Sequence, residues 1–433
     1  AVFGAVPLIM VWIDGQLVRL APAITLASIL SALTVPGAFF LSAQVQAAWD
    51  KVRHWVLALG IWAFVTIVWI AVLYIVWLFR DYALPIAGGI IVLLWLVSRL
   101  TDINRISMYY FYRDRLSETF VVRRDGDRIE GNDGLRLTSL AFEDRRVPYH
   151  LINTTVNLPG SEDLTLRGRQ GDFFLFSPLF CGSRITGYSP TTTYERGRVS
   201  LASAMAVSGA AANPQHGHGT SPGLAFLMTL LNVRLGTWSE HPAYSAGFLS
   251  HLGRPRDFWP VYLLFELLSL ANEKRHLVSL SDGGHIENLG AYELLRRRCR
   301  TVIVSDAAAD PHSTFGDLAR LLRTVRIDHG VEVSLKVDRL RTSAEKPLAD
   351  AHVEVGEIVY PPLDAGQPDV GQLYYVKAGL TAQDPPDLHH YRTQHPTFPH
   401  ESTTDQFFDE AQFESYRLLG YESGRAVVQA QST

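Results

Sequence analysis

Cysteine is nearly missing from this chain: 433 residues include two, Cys181 and Cys299. Two are too few for a disulfide framework or a four-ligand zinc site, and they read as reduced thiols in a cytosol-facing domain. An excess of positive charge is also lacking. Lys and Arg number 39 against 43 Asp and Glu, for a net charge of −4. No basic stripe is interleaved with aromatics, so the electrostatic footprint of a nucleic-acid partner is absent. There is no internal repeat and no long low-complexity tract.

Charge itself is scarce at the amino end. Hydrophobic residues make up 47% of the chain, and the first hundred positions hold far more than their share. Residues 55–79 form 25 consecutive uncharged positions, enough to cross a bilayer core of ~30 Å as a helix. Residues 20–49 are another such run, broken by Pro36-Gly37, and residues 82–98 are a shorter one. Residues 1–13 look like a run whose beginning is missing. The expectation is three complete transmembrane helices and one partial one within residues 1–100. A signal peptide has one short apolar core behind a basic flank, which several long runs do not match. Lys51 and Arg53, with the arginines from Arg99 to Arg124, place both flanks in the cytoplasm and the Arg80-Asp81 turn outside. A multi-pass inner-membrane protein with its carboxyl-terminal domain in the cytoplasm is therefore expected.

Beyond the apolar region, residues 101–122 are amphipathic and residues 123–146 read as a charged linker, so that 101–147 form a juxtamembrane unit. From residue 148 to about 345, short β-like runs alternate with helical patterns, as an α/β domain requires. Strands are expected at 173–176, 277–280, 301–304 and 331–337, and a helix at 315–327. Residues 346–433 are broken by Pro361-Pro362, Pro385-Pro386, Pro396 and Pro399. They end in an amphipathic stretch, 404–419, that reads as a helix docking back on the domain.

The most informative stretch is Leu277-Val-Ser-Leu-Ser-Asp282-Gly283-Gly284-His-Ile-Glu-Asn288. An apolar run stops on an acidic residue and two glycines, a helical pattern follows, and a second apolar run ends on Asp306. The pattern predicts a strand, turn, helix, strand unit. Functional residues of open α/β sheets lie just past the carboxyl ends of strands, where glycines admit close backbone approach. Asp282 is the first candidate for chemistry; the plain competing role is to cap the next helix or hold the turn.

This segment resembles the aspartate motif of the patatins and of the cytosolic phospholipase A and lysophospholipase family. Four further segments resemble the large membrane-embedded bacterial members of that group. They are Tyr149-His-Leu-Ile-Asn-Thr, Phe176-Ser-Pro-Leu-Phe-Cys-Gly-Ser183, Ser203-Ala-Met-Ala-Val-Ser208-Gly-Ala-Ala-Ala-Asn213-Pro and Thr397-Phe-Pro-His-Glu-Ser-Thr-Thr-Asp-Gln-Phe-Phe-Asp409. The likeness runs from about residue 149 to 420. It implies an α/β patatin/phospholipase-like domain following an α-helical transmembrane region. It also implies hydrolysis of a membrane phospholipid or lysophospholipid ester by a Ser/Asp dyad, with no metal or organic cofactor. Asp282 would be the base, Gly283 and Gly284 the turn, and Asn288 and Glu287 supporting residues. The family's nucleophile lies in Gly-x-Ser-x-Gly, after a glycine-rich oxyanion loop, upstream of all these motifs. Neither precedes them here. The chain begins at Ala1 within an apolar run, so the expectation is a carboxyl-terminal part whose serine comes from an upstream segment or another chain. The alternative is a non-catalytic membrane scaffold or accessory subunit of the same fold. Oligomeric state is not legible.

Two serines offer alternative nucleophiles. Ser208 sits among small residues, which equally describe a tightly packed helix. Ser221, in Gly219-Thr-Ser-Pro-Gly223, matches Gly-x-Ser-x-Gly literally but has no strand before it. His216, His218 and His285 with Asp282, and nearby Asp306, Asp310 and His312, suggest metal ligands by type. None forms a recognisable helical ligand pair, and no metal is expected. His389 and His390 read as surface residues.

Overall fold

The computed structural model describes residues 80–140, 148–166, 168–217, 219–245, 258–343, 345–363, 366–402 and 408–432, with scattered positions between 63 and 78. In chain order, helices α1 (Ala83–Leu100) and α2 (Tyr109–Phe120) precede an exposed hairpin of β1 (Val122–Asp125) and β2 (Arg128–Gly131). Four strands follow: β3 (Ile152–Asn157), β4 (Gly171–Phe176), β5 (Phe180–Ser183) and β6 (Gly187–Pro190). Then come α3 (Leu201–Ser208), α4 (Pro222–Leu230), β7 (Thr237–Glu240), α5 (Pro260–Leu267), β8 (Leu277–Asp282) and α6 (Tyr292–Arg296). The remainder comprises β9 (Thr301–Asp306), α7 (Gly316–His329), β10 (Glu332–Ser334), β11 (Val353–Tyr360), β12 (Asp369–Lys377), α8 (Pro386–Gln394) and α9 (Glu410–Ser432).

The strands form two main sheets. One has the order β6-β5-β4-β3-β8-β7, and every pairing in it is antiparallel. The other has the order β10-β11-β12-β9, with only β12 and β9 parallel. Strand β4, Gly-Asp-Phe-Phe-Leu-Phe, is buried along its whole length because it serves both faces. Alternation sends Phe174 and Phe176 into a core with Val156, Tyr194, Val278 and Leu280, and Phe173 into the other core. There Phe173 stacks on Tyr292 with ring centroids 3.7 Å apart, among Leu318, Leu321 and Val325 of α7 and Ile358 and Leu373 of the second sheet. The spacing of those three α7 residues gives one apolar helical face. Gly330, at φ +64°, ends α7 in the left-handed conformation that favours glycine.

The expected fold class is corrected in two respects. Among the described residues no helix is long and apolar enough to cross a membrane. The apolar run at 82–98 does become a helix, α1, but its 18 residues rise only ~27 Å at 1.5 Å each, and the last turn contains Ser98 and Arg99. The runs at 1–13 and 20–49, and most of 55–79, lie outside the described residues. The segment around Asp282 is also no crossover unit. Strand β8 pairs antiparallel with β3 and β7, while β9 belongs to the other sheet. The intervening helix α6 has five residues, and the chain uses it to pass from one sheet to the next. The content is mixed α and β, with three sheets including the hairpin.

Other elements shift in extent. The expected strand at 331–337 is only Glu332–Ser334. The last helix begins at Glu410 and runs to Ser432, beyond the expected 419; residues 403–407 are outside the described set.

Candidate active site

Asp282 is the last residue of β8, opposite Thr154 of β3. Its Oδ1 accepts the N–H of Gly284 at 2.7 Å, so that it caps the 3-10 turn Gly283–His285. The competing capping role is therefore present in the structure. Capping occupies one oxygen; among the described residues, Oδ2 accepts no hydrogen bond and no Lys or Arg forms an ion pair with the group. Burial pushes the carboxyl above its ordinary value, against the smaller opposing effect of the Gly284 N–H. A half-buried carboxylate with a free oxygen and no countercharge is competent to receive a proton.

Close packing explains both glycines. A Cβ on Gly283 would lie 2.7 Å from the Asn153 carbonyl oxygen, and one on Gly284 would lie 2.7 Å from Asn288 Oδ1 and 3.1 Å from Asp282 Oδ1. Glu287 is buried and accepts the N–H groups of Leu289, Ala291 and Tyr292, which holds the loop into α6. Exposed Asn288 donates to Asp317 at 3.0 Å and so ties the turn to the start of α7.

The end of α3 closes another side of Asp282. The Asp282 N–H faces the Ala210 carbonyl at 3.4 Å. Tyr112 of α2 donates to the Gly209 carbonyl at 3.0 Å, and burial followed by the Asp282 charge raises its phenol. Helix α3 packs between α2 and strands β3 and β8, and its buried Ala202, Ala204 and Ala206 permit that approach. Ser208 ends this helix, and its Oγ donates to the Asn153 carbonyl at 2.8 Å rather than to a carboxylate. Ser221 is exposed in the loop before α4, with no strand leading into it. Tyr112 carried no sequence signal for this neighbourhood, because an aromatic in an amphipathic helix is unremarkable by pattern; Asn153 lies in the 149–154 segment on which the resemblance partly rests, although nothing there tied it to Asp282.

The histidines serve the surrounding frame. His285 lies 3.2 Å from the Ala211 carbonyl through Nε2 and 2.8 Å from Ser281 Oγ through Nδ1, with the His216 ring 4.8 Å away. His218 lies outside the described residues. Among the described residues no group of three or more His, Cys, Asp or Glu is placed to hold a metal ion. Asp306 instead receives Lys377 Nζ at 3.0 Å and the Tyr375 hydroxyl at 2.5 Å. Asp310 accepts the N–H groups of Thr314 and Phe315, and His312 is exposed. On α8, His390 is exposed and His389 half-buried.

A scan against protein-family models found no match, and searches of the curated proteins and of the solved structures likewise found none.

Proposed function

We propose that this chain carries the base of a lipid acyl hydrolase of the patatin and cytosolic phospholipase type. Asp282 takes the proton of a serine contributed by another segment or chain, and the acyl group of a phospholipid or lysophospholipid passes through that serine to water. The supporting observation is the Asp282 carboxyl itself: held by the Gly284 N–H at the end of β8, raised by burial, and paired with no Lys or Arg among the described residues. Gly283 and Gly284 keep the turn tight, and Asn288 anchors it to α7. Neither metal nor organic cofactor enters this chemistry.

The test is Asp282→Asn in protein assembled with its serine-bearing segment, assayed on vesicles of a fluorogenic phospholipid. The amide keeps the shape and cannot accept the proton, so kcat should fall by ~10²–10⁴-fold with an unchanged thermal melt. Activity within a few-fold of the parent excludes Asp282 as the base. A second reading, a non-catalytic accessory subunit of related architecture, is favoured by one observation: the Ser208 hydroxyl is directed at the Asn153 carbonyl. Under that reading no assembly containing this chain gains esterase activity that depends on Asp282.

A further inference from the structure

Outside the Asp282 neighbourhood, three residues far apart in sequence meet where α9 packs against β11 and β12. Ser423 lies on α9, His352 directly precedes β11, and Asp384 follows β12 in the turn leading to α8. Ser423 Oγ is 3.4 Å from His352 Nδ1, and His352 Nε2 is 2.9 Å from Asp384 Oδ1. All three are buried.

The protons can be assigned from the surroundings. Asp384 Oδ2 accepts the Thr381 N–H at 2.6 Å and the Thr381 hydroxyl at 3.3 Å. Burial pushes the Asp384 carboxyl up, but the hydrogen bonds from His352 and Thr381 outweigh it and hold the group below its ordinary value. An ionised carboxylate has no proton to give, so His352 Nε2 carries the hydrogen. Nδ1 then presents a lone pair, and among the described residues the polar group facing it is the Ser423 hydroxyl. The sequence of contacts is hydroxyl, imidazole base, and a carboxylate that fixes the tautomer. The hydroxyl-to-imidazole contact is long, as such contacts often are before a substrate binds.

Ser423 also borders open space. It lines a cavity of about 390 Å³ whose walls include Ile303, Val376, Leu419, Val427 and Val428. Gly420 and Gly424 flank the serine on this helix, and a Cβ on either would meet nothing within 4 Å. The apolar walls suit the hydrocarbon part of an acyl ester.

We propose that Ser423, His352 and Asp384 form a second acyl-transfer centre, complete within this chain and independent of Asp282, that hydrolyses esters with an apolar acyl group. The Ser423 hydroxyl loses its proton to His352 Nδ1 as its oxygen bonds to the ester carbonyl carbon. The bond to the leaving alcohol then breaks, and that alcohol takes the proton from His352. Water, deprotonated by the same nitrogen, cleaves the acyl-serine, releases the acid and returns the proton to Ser423.

The experiment is labelling of the purified protein with an alkyl fluorophosphonate, the adduct located by peptide mass spectrometry. An adduct at Ser423 is expected, absent in Ser423→Ala and undiminished in Asp282→Asn. His352→Gln and Asp384→Asn should each slow labelling by ~10²–10⁴-fold. The second variant keeps the carboxylate's shape but not its hold on the tautomer, so it reads the base even if the first is poorly folded. No adduct at Ser423 in the folded parent overturns the proposal, as does labelling that proceeds at the parental rate in both variants. Loss of labelling in Asp282→Asn would assign the reactivity to the Asp282 site instead.

Discussion

Replacing Arg234 with methionine removes one half of the most deeply buried ion pair among the described residues. Arg234 and Glu266 side chains are 2% and 1% exposed, with Nη1 2.8 Å from Oε2. Arg234 Nη2 also donates to the Ile103 carbonyl at 2.7 Å, so this side chain joins the segment before α2 to α5. The network is only partly satisfied, because among the described residues Arg234 Nε has no partner. Arg234→Met leaves Glu266 as an uncompensated buried charge, which costs about 3–5 kcal/mol. Burial already raises the Glu266 carboxyl above its ordinary value despite the arginine, and without the arginine it must rise further. A carboxyl raised by folding contributes stability that is present below its unfolded value and is lost as pH rises through its folded value. The destabilisation should therefore grow with pH above the ordinary carboxylate range. Adding Glu266→Met removes the stranded charge, and the double variant should recover most of the loss. Urea denaturation followed by tryptophan fluorescence measures all three proteins, since Trp238 lies in the same core as Ile103. A loss below about 1 kcal/mol in Arg234→Met, or a double variant no more stable than the single, would refute the reasoning.

Two further outcomes follow from the geometry. Gly283→Ala places a Cβ against the backbone carbonyl of Asn153, which cannot rotate away; a loss of about 1–3 kcal/mol is expected, read as a lowered melting temperature. Asp172, buried in β4 and pushed up to about 6 mainly by desolvation, binds its proton more tightly folded than unfolded. It therefore costs stability on the order of 3 kcal/mol as pH rises from about 4 to 6. Asp172→Asn should flatten the denaturation midpoint over that window, and an unchanged pH profile would contradict the assignment.

What the sequence made legible was local. The expected strand at 277–280 ends where Asp282 caps its turn, and the helix expected at 315–327 is Gly316–His329. In both cases a period or a punctuating glycine lies within one window of residues. Sheet membership is not local. The runs ending at Asp282 and Asp306 look alike in sequence, yet they sit in different sheets, because pairing depends on β3 and β12, 70 or more residues away in register with them: Thr154 stands opposite Asp282, and Lys377 beside Asp306. The apolar run at 82–98 shows a different limit. Composition reveals an apolar run, but whether the helix it forms is long and apolar enough together depends on where the helix starts and stops, and among the described residues no helix meets both conditions.

The same reasoning separates the two candidate centres. Asp282 was visible because its motif is contiguous, and every glycine that shapes it is a neighbour in sequence. Ser423 gave no such sign: its helix has ordinary spacing, and it lies 71 residues from His352, which in turn lies 32 residues from Asp384. Such a constellation becomes readable only when strand register and helix docking are known. Its reactivity is consequently the sharper test of the fold. Labelling at Ser423 requires α9 to lie on β11 and β12 in this register, because one helical residue of rotation, ~100°, carries the hydroxyl away from His352. An adduct at Ser423 that depends on both His352 and Asp384 thus tests the docking of α9 as well as the chemistry, whereas labelling confined to Ser208 or Ser221 would contradict both.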